Sequence, residues 1–190
     1  MDALCLDILH SDWHDYRGSG PDEDRLLQSG WLEHVLARWE LNASGLINEK
    51  NIAEMQALRT LMERIVQSLL TKHEPKEADL AALNIYLNAA PSKLQIMNGY
   101  KKYQLEQIPL HNDWSWVLGQ VAISFAELLT QHDTTRIKQC ENPDCRWIYY
   151  DESANQTRRW CEDSCANLMR VRKHRTKHRE GGAITSTREE

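Results

Sequence analysis

No apolar run in the sequence approaches the roughly 20 residues needed to cross a bilayer, and the N-terminal stretch MDALCLDILHSDWHDY lacks the basic-then-apolar order of a secretory signal. These absences argue against a membrane protein and predict a cytoplasmic one. Glycine-rich phosphate loop, nucleophile motif and paired-carboxylate signature are all missing too, so no catalysis is expected and no catalytic residue is named. There is no internal repeat and no low-complexity segment. Acidic residues are absent between Asp163 and Glu180, and apolar ones between Val171 and Ala183. A helix through that region has no face to bury, and its like charges call for an anionic neighbour.

Four of the five cysteines lie close together, in the order C-x4-C-x15-C-x3-C: Cys140, Cys145, Cys161 and Cys165. Two tight pairs separated by a hairpin-length insert each supply two corners of one tetrahedral metal site. Reducing conditions disfavour disulfides, so these cysteines read as metal ligands, and Cys5 reads as a small buried hydrophobe. Four thiolates suit zinc or an iron–sulfur cluster. Zinc is favoured by the layout of a closed structural site, with no open position for catalysis. Within the stretch, ENPD reads as a turn, RWIYYD as one strand of a hairpin that RRW completes, and Cys161 and Cys165 as the start of a helix whose N-terminus stabilises thiolate charge. After Cys165, Leu168 and Val171 can pack one or two turns. Then come Arg170, Arg172, Lys173, Arg175, Lys177 and Arg179. Alone, such a run reads as a solvated tail; joined to a metal module, and with Arg158 and Arg159 before it, it points to nucleic acid.

The formal net charge of -5 is unevenly spread: residues 1–135 carry 11 basic and 19 acidic side chains, residues 136–180 carry 11 and 7. An acidic body bears a basic end, which suggests a polyanion partner for that end alone.

Along the body, Leu4, Leu6 and Ile8 alternate as a short strand would. A polar loop follows. Its His10, Asp12, His14 and Asp15 could be drawn as a second metal site, although a connecting loop or the wall of a small-molecule pocket is the plainer reading. Ser29 reads as the N-cap of a helix carrying Trp31, Leu32, Val35, Leu36 and Trp39 and stopping in the turn at 43–45. A longer helix spans about Asn48 to His73, with Ile52, Met55, Leu58, Met62, Ile65 and Leu69 as its stripe. Pro75 suits the first turn of the next helix, in which Leu80, Leu83 and Leu87 face one way until 89–92. Asn98-Gly99 between strand-like residues predicts a hairpin over 93–110. Asp113 caps a broad-faced helix holding Trp114, Val117, Leu118, Val121, Phe125, Leu128 and Leu129, and a polar link at 134–139 marks a domain boundary. Trp13, Trp114 and Trp116 are candidates for an effector pocket or, more simply, for core.

CENPDC, YYDESANQTRRWC and CANLMRVRKHRTKHR resemble the CGNR-type zinc finger, and LDILHSDWHDY, LAALNIYLNAAP and the acidic helical body resemble the ABATE domain that precedes it in bacterial proteins. The resemblance implies one structural zinc ion on Cys140, Cys145, Cys161 and Cys165, DNA binding by the finger, and a role in stress-responsive transcription regulation. The chain departs from the family's Cys-Gly-Asn-Arg at two places, reading Cys165-Ala166-Asn167-Leu168. The expected fold is mostly α with small β elements: a helical body at 1–135 as sensor or interaction domain, a treble-clef-like zinc finger with its basic helix at 136–180, and a flexible tail at 181–190. The rival reading is a zinc-stabilised protein- or RNA-interaction module without sequence-specific DNA binding.

Overall fold

The computed structural model describes residues 1–41, 46–99 and 102–185, with side chains through residue 178. The turn expected at 43–45, the side chain of Arg179 and most of the expected tail lie outside the described residues.

The axis of the molecule is α5 (Trp114–Gln131), where Asp113 accepts a bond from the Trp116 amide as the expected N-cap. Its Val117, Val121, Ala122 and Phe125 are fully buried, because apolar residues recur on all but one side of the helix. Against it run α3 (Glu49–Leu70), capped by an Asn48–Asn51 capping box, and α4 (Glu77–Ala89). Met55, Leu58, Met62, Ile65 and Val66 of α3 meet α5 in one core with Leu83 of α4. Leu80, expected beside Leu83, instead faces solvent. The inward position one turn before Leu83 belongs to Asp79, which accepts from Arg64 of α3 at 2.8 Å. α4 and α5 touch so closely that a Cβ on Gly119 would stand 2.3 Å from the Ala90 Cβ.

Residues 4–9 form a helix, α1 (Leu4–Leu9), not the expected strand. Leu4, Cys5, Leu6, Ile8 and Leu9 are all buried and only Asp7 escapes, so the alternation was incidental: this helix is enclosed on nearly every side. Cys5 is the expected buried hydrophobe, its thiol pushed up to about 11 by burial. The polar loop after α1 carries a short antiparallel ladder, β1 (Asp12–Trp13) with β2 (Glu23–Asp24). It is bolted to α3 by Arg59, which donates to both Asp24 carboxylate oxygens at 2.8 Å and to Ser11 Oγ at 2.7 Å. α2 (Trp31–Arg38) begins at Gly30, not Ser29, because the chain enters it through a left-handed turn (φ 80°) that glycine tolerates.

The predicted hairpin is present as β3 (Ser92–Asn98) paired in register with β4 (Tyr103–Pro109). Leu94, Ile96, Tyr103 and Leu105 share one face of this ribbon and are mostly exposed.

Replacing Gly119 by Ala should force α4 off α5. We expect a stability loss of about 1–3 kcal/mol in urea titration, against the usual helix benefit of alanine.

Candidate functional site

Beyond α5 the chain makes β5 (Ile137–Gln139), crosses a knuckle and returns as β6 (Ile148–Tyr150), antiparallel to β5. The partner of the IYY strand is therefore IKQ and not RRW, which forms no strand. Ile137 and Ile148 point into the same core as α3 and α5, so the stretch expected to be a polar link is anchored apolar structure.

The knuckle between the strands carries Cys140 and Cys145. Cys140 donates its amide to the Trp147 carbonyl at 2.8 Å and Cys145 to the Asn142 carbonyl at 3.0 Å, closing the turn that ENPD predicts. Cys161 precedes α6 (Asp163–Thr185) by two residues and Cys165 lies in its first turn. All four cysteines are buried, and their sulfurs lie within 4.8 Å of one another. Cys145 and Cys161 stand 3.5 Å apart, Cys161 and Cys165 3.8 Å. Those separations match the edge of a tetrahedron of sulfurs about 2.3 Å from zinc, which is roughly 3.8 Å. Hydrogen bonds from Cys145 and Cys161 hold the Cys140 thiol down to about 2, while the bond to Cys140 pushes Cys145 up to about 12 and Cys161 up as well. The four sulfurs would hold a zinc dication, which would displace the thiol protons.

Asn142, fully buried, donates from Nδ2 both to the Tyr16 carbonyl at 2.8 Å and toward Cys165 Sγ at 3.5 Å. It ties the β1–β2 loop of the body to the sulfur cluster. Around it, His10 stacks on Trp147 with ring centroids 4.3 Å apart and its Nε2 lies 2.6 Å from the Ile148 carbonyl oxygen. Burial lowers the His10 pKa, so it sits there as neutral imidazole. Gly18 in the same loop has φ 69° and so little room that a Cβ would come 2.7 Å from Asp144 Oδ2. Opposite, the fully buried Asp151 accepts from Lys138 Nζ at 2.6 Å, from the Arg158 amide and from the Ser153 amide and hydroxyl. Burial alone would raise its carboxyl, but these donors hold it far below the usual range.

Of the residues expected to meet DNA, three are engaged inside the protein. Arg158 donates to the carbonyls of Trp160 and Cys161 and lies 5.1 Å over the Tyr149 ring; Arg159 donates to Glu141 at 2.7 Å. Arg172 donates to Asp144 Oδ2 at 2.5 Å and to the Arg17 carbonyl at 2.6 Å, pinning α6 to the knuckle and the body loop. Arg170, Lys173, Arg175 and Lys177 are exposed and have no acidic partner among the described residues. Leu168 is half-buried, whereas Val171 is 46% exposed and seals nothing. The imagined site of His10, Asp12, His14 and Asp15 is not assembled; among the described residues only the four cysteines gather as a metal cluster. Asp15 instead accepts from the Ser19 and Gly20 amides of its own loop. Trp116 is buried on α5 and Trp114 half-buried against the core, while Trp13 lies in a slot with Tyr16 and Trp147 beside the cysteines.

Residues 2–132 match the family model ABATE, described as "Putative stress-induced transcription regulator". The chain belongs to the ABATE family. In this ABATE-family chain, residues 136–178 further match the CGNR zinc finger. No curated protein matches the sequence. Both families are of regulator and zinc-finger type, and the four cysteines fit one structural zinc ion, which supplies folding energy to the finger when bound.

Two outcomes are expected. The purified protein should release one zinc per chain to a chelator, with loss of ordered finger resonances in NMR, and Cys165→Ser should reproduce that loss. Because the Asp151 carboxyl is depressed on folding, its contribution is complete above the ordinary carboxylate pKa, about 4, and fades as pH falls below it. Asp151→Asn should lower the thermal midpoint by several degrees at pH 7 and lose that difference in strong acid.

Proposed function

We propose that this protein is a transcription regulator that binds DNA through its four-cysteine finger and the basic helix α6, with the N-terminal body as effector-sensing or interaction unit. The working division is 1–135 for the body and 136–180 for the finger. The observation that carries the reading is the set of exposed cations on α6 without acidic partners, on a helix that leaves a fixed sulfur knuckle. Zinc, bound by Cys140, Cys145, Cys161 and Cys165, fixes where the helix starts. Arg172, through Asp144 and the Arg17 carbonyl, fixes where it points. Arg170, Lys173, Arg175 and Lys177 then neutralise phosphates, and one or two of them reach base edges. Arg158 serves this reading by holding the Trp160 and Cys161 carbonyls and Arg159 by pairing with Glu141 of the knuckle, and Arg179 extends the basic run.

Binding to duplex DNA should weaken steeply with salt. Replacing Lys173, Arg175 and Lys177 by Ala should reduce affinity at least tenfold and lower the slope of log affinity against log salt by about 3, near 0.9 per phosphate contact. A flat salt dependence overturns DNA binding, and equal capture of RNA and DNA of any sequence turns the reading to a general interaction module.

A further inference from the structure

A cavity of about 220 Å³ opens at the seam between body and finger. Its walls come from α1 (Leu9), β1 (Asp12) and the loop after it (His14), from α3 (Glu63, Gln67), and from the finger (Gln139, Arg146, Trp147, Ile148). At about 30 Å³ per water it holds the equivalent of some seven waters, far short of a drug-sized ligand but right for a molecule of fewer than ten non-hydrogen atoms.

Its chemistry is unbalanced in two places. Glu63 is half-buried and receives no hydrogen bond from any described residue: its nearest cation, Arg59 Nε, is 3.7 Å away, past hydrogen-bond reach. The other Arg59 nitrogens are already committed to Asp24 and Ser11, and Nε itself is buried without a hydrogen-bond partner. Asp12 stands nearby with only His14 Nε2, at 3.1 Å, on its carboxylate. Burial pushes the Glu63 carboxyl up against the pull of Arg59, and the charges of Asp12 and Asp24 add to the rise. A half-buried carboxylate without a donor is costly, and an ammonium group relieves that cost. On the finger side, Arg146 follows ligand Cys145 in a left-handed conformation (φ 56°) and has no acidic partner among the described residues. Leu9, Trp147 and Ile148 line the same cavity and add apolar surface to it.

We propose that this seam cavity binds a small aliphatic α-amino acid, its ammonium on Glu63 and Asp12, its carboxylate on Arg146 and its side chain against Leu9, Trp147 and Ile148. Such a ligand touches residues of both the body and the finger. It thereby names an input for the regulator reading. Its regulatory meaning rests on that reading, but binding is measured without DNA and stands or falls separately.

The zinc-loaded full chain is titrated calorimetrically with L-alanine, L-valine, L-leucine and L-methionine, with N-acetyl-L-leucine and 3-methylbutylamine as probes lacking the ammonium and the carboxylate. At least one of the amino acids should bind saturably, and both truncated probes should bind at least about tenfold more weakly. Glu63→Gln and Arg146→Gln should each weaken binding by a similar factor while zinc content stays unchanged and the thermal midpoint of the free protein does not fall. Absence of saturable binding by all four amino acids overturns the proposal, as does binding that both variants retain. If either variant fails to load zinc, Asp12→Asn is measured in its place, and undiminished affinity there also overturns it.

Discussion

Four sulfurs held within 4.8 Å of one another and out of water are the constraint on which the C-terminal third of the chain depends. Sulfurs so close cannot all be negative without a cation, and so buried they cannot be relieved by solvent. Zinc resolves the conflict, and in doing so it joins two pieces of chain that are fifteen residues apart in sequence: the knuckle between β5 and β6, and the first turn of α6. Everything that α6 presents to a partner inherits its position from that junction.

The finger is not a pendant. Ile137 and Ile148 enter the main core, Trp147 stacks on His10, and Asn142 reaches from the knuckle to the Tyr16 carbonyl. The β1–β2 loop is held in turn by the Arg59–Asp24 pair on α3, a two-pronged bond in which both oxygens and two nitrogens are engaged. A continuous path of hydrogen bonds and stacked rings therefore runs from α3, through the loop, to the sulfur cluster. It is a physical connection between an acidic body and a basic helix that composition alone would have separated.

Much of this was legible from the residues. The long helices were, because the stripes of α3 and α5 repeat over several turns and their caps, Asn48 and Asp113, have the side chains that caps need. The cysteine spacing placed the metal cluster for the same kind of reason, since each close pair fits one turn. Short elements were not legible. Over the six residues of α1, periods of 2 and 3.6 cannot be told apart when every side is enclosed, and a three-residue strand such as β5 shows no period at all. Least legible were the long-range polar contacts. Asn142 reads locally as a turn residue, yet its amide bonds a carbonyl 126 positions earlier, and Asp151, besides the nearby Ser153, accepts from Lys138 and the Arg158 amide, which nothing adjacent in the sequence announces. Arg172 looked like one cation in a series, until Asp144 and the Arg17 carbonyl set it apart from its neighbours.

That separation gives α6 a fulcrum. Behind Arg172 the helix is clamped by sulfur, knuckle and loop; ahead of it the side chains through His178 stand free in solvent. At 1.5 Å per residue the six positions from Arg172 to His178 make an arm of roughly 9 Å. A tilt of about ten degrees at Arg172 would move the far end by roughly 1–2 Å. The direction of the charges beyond Arg172 is therefore set by the loop that carries Arg17.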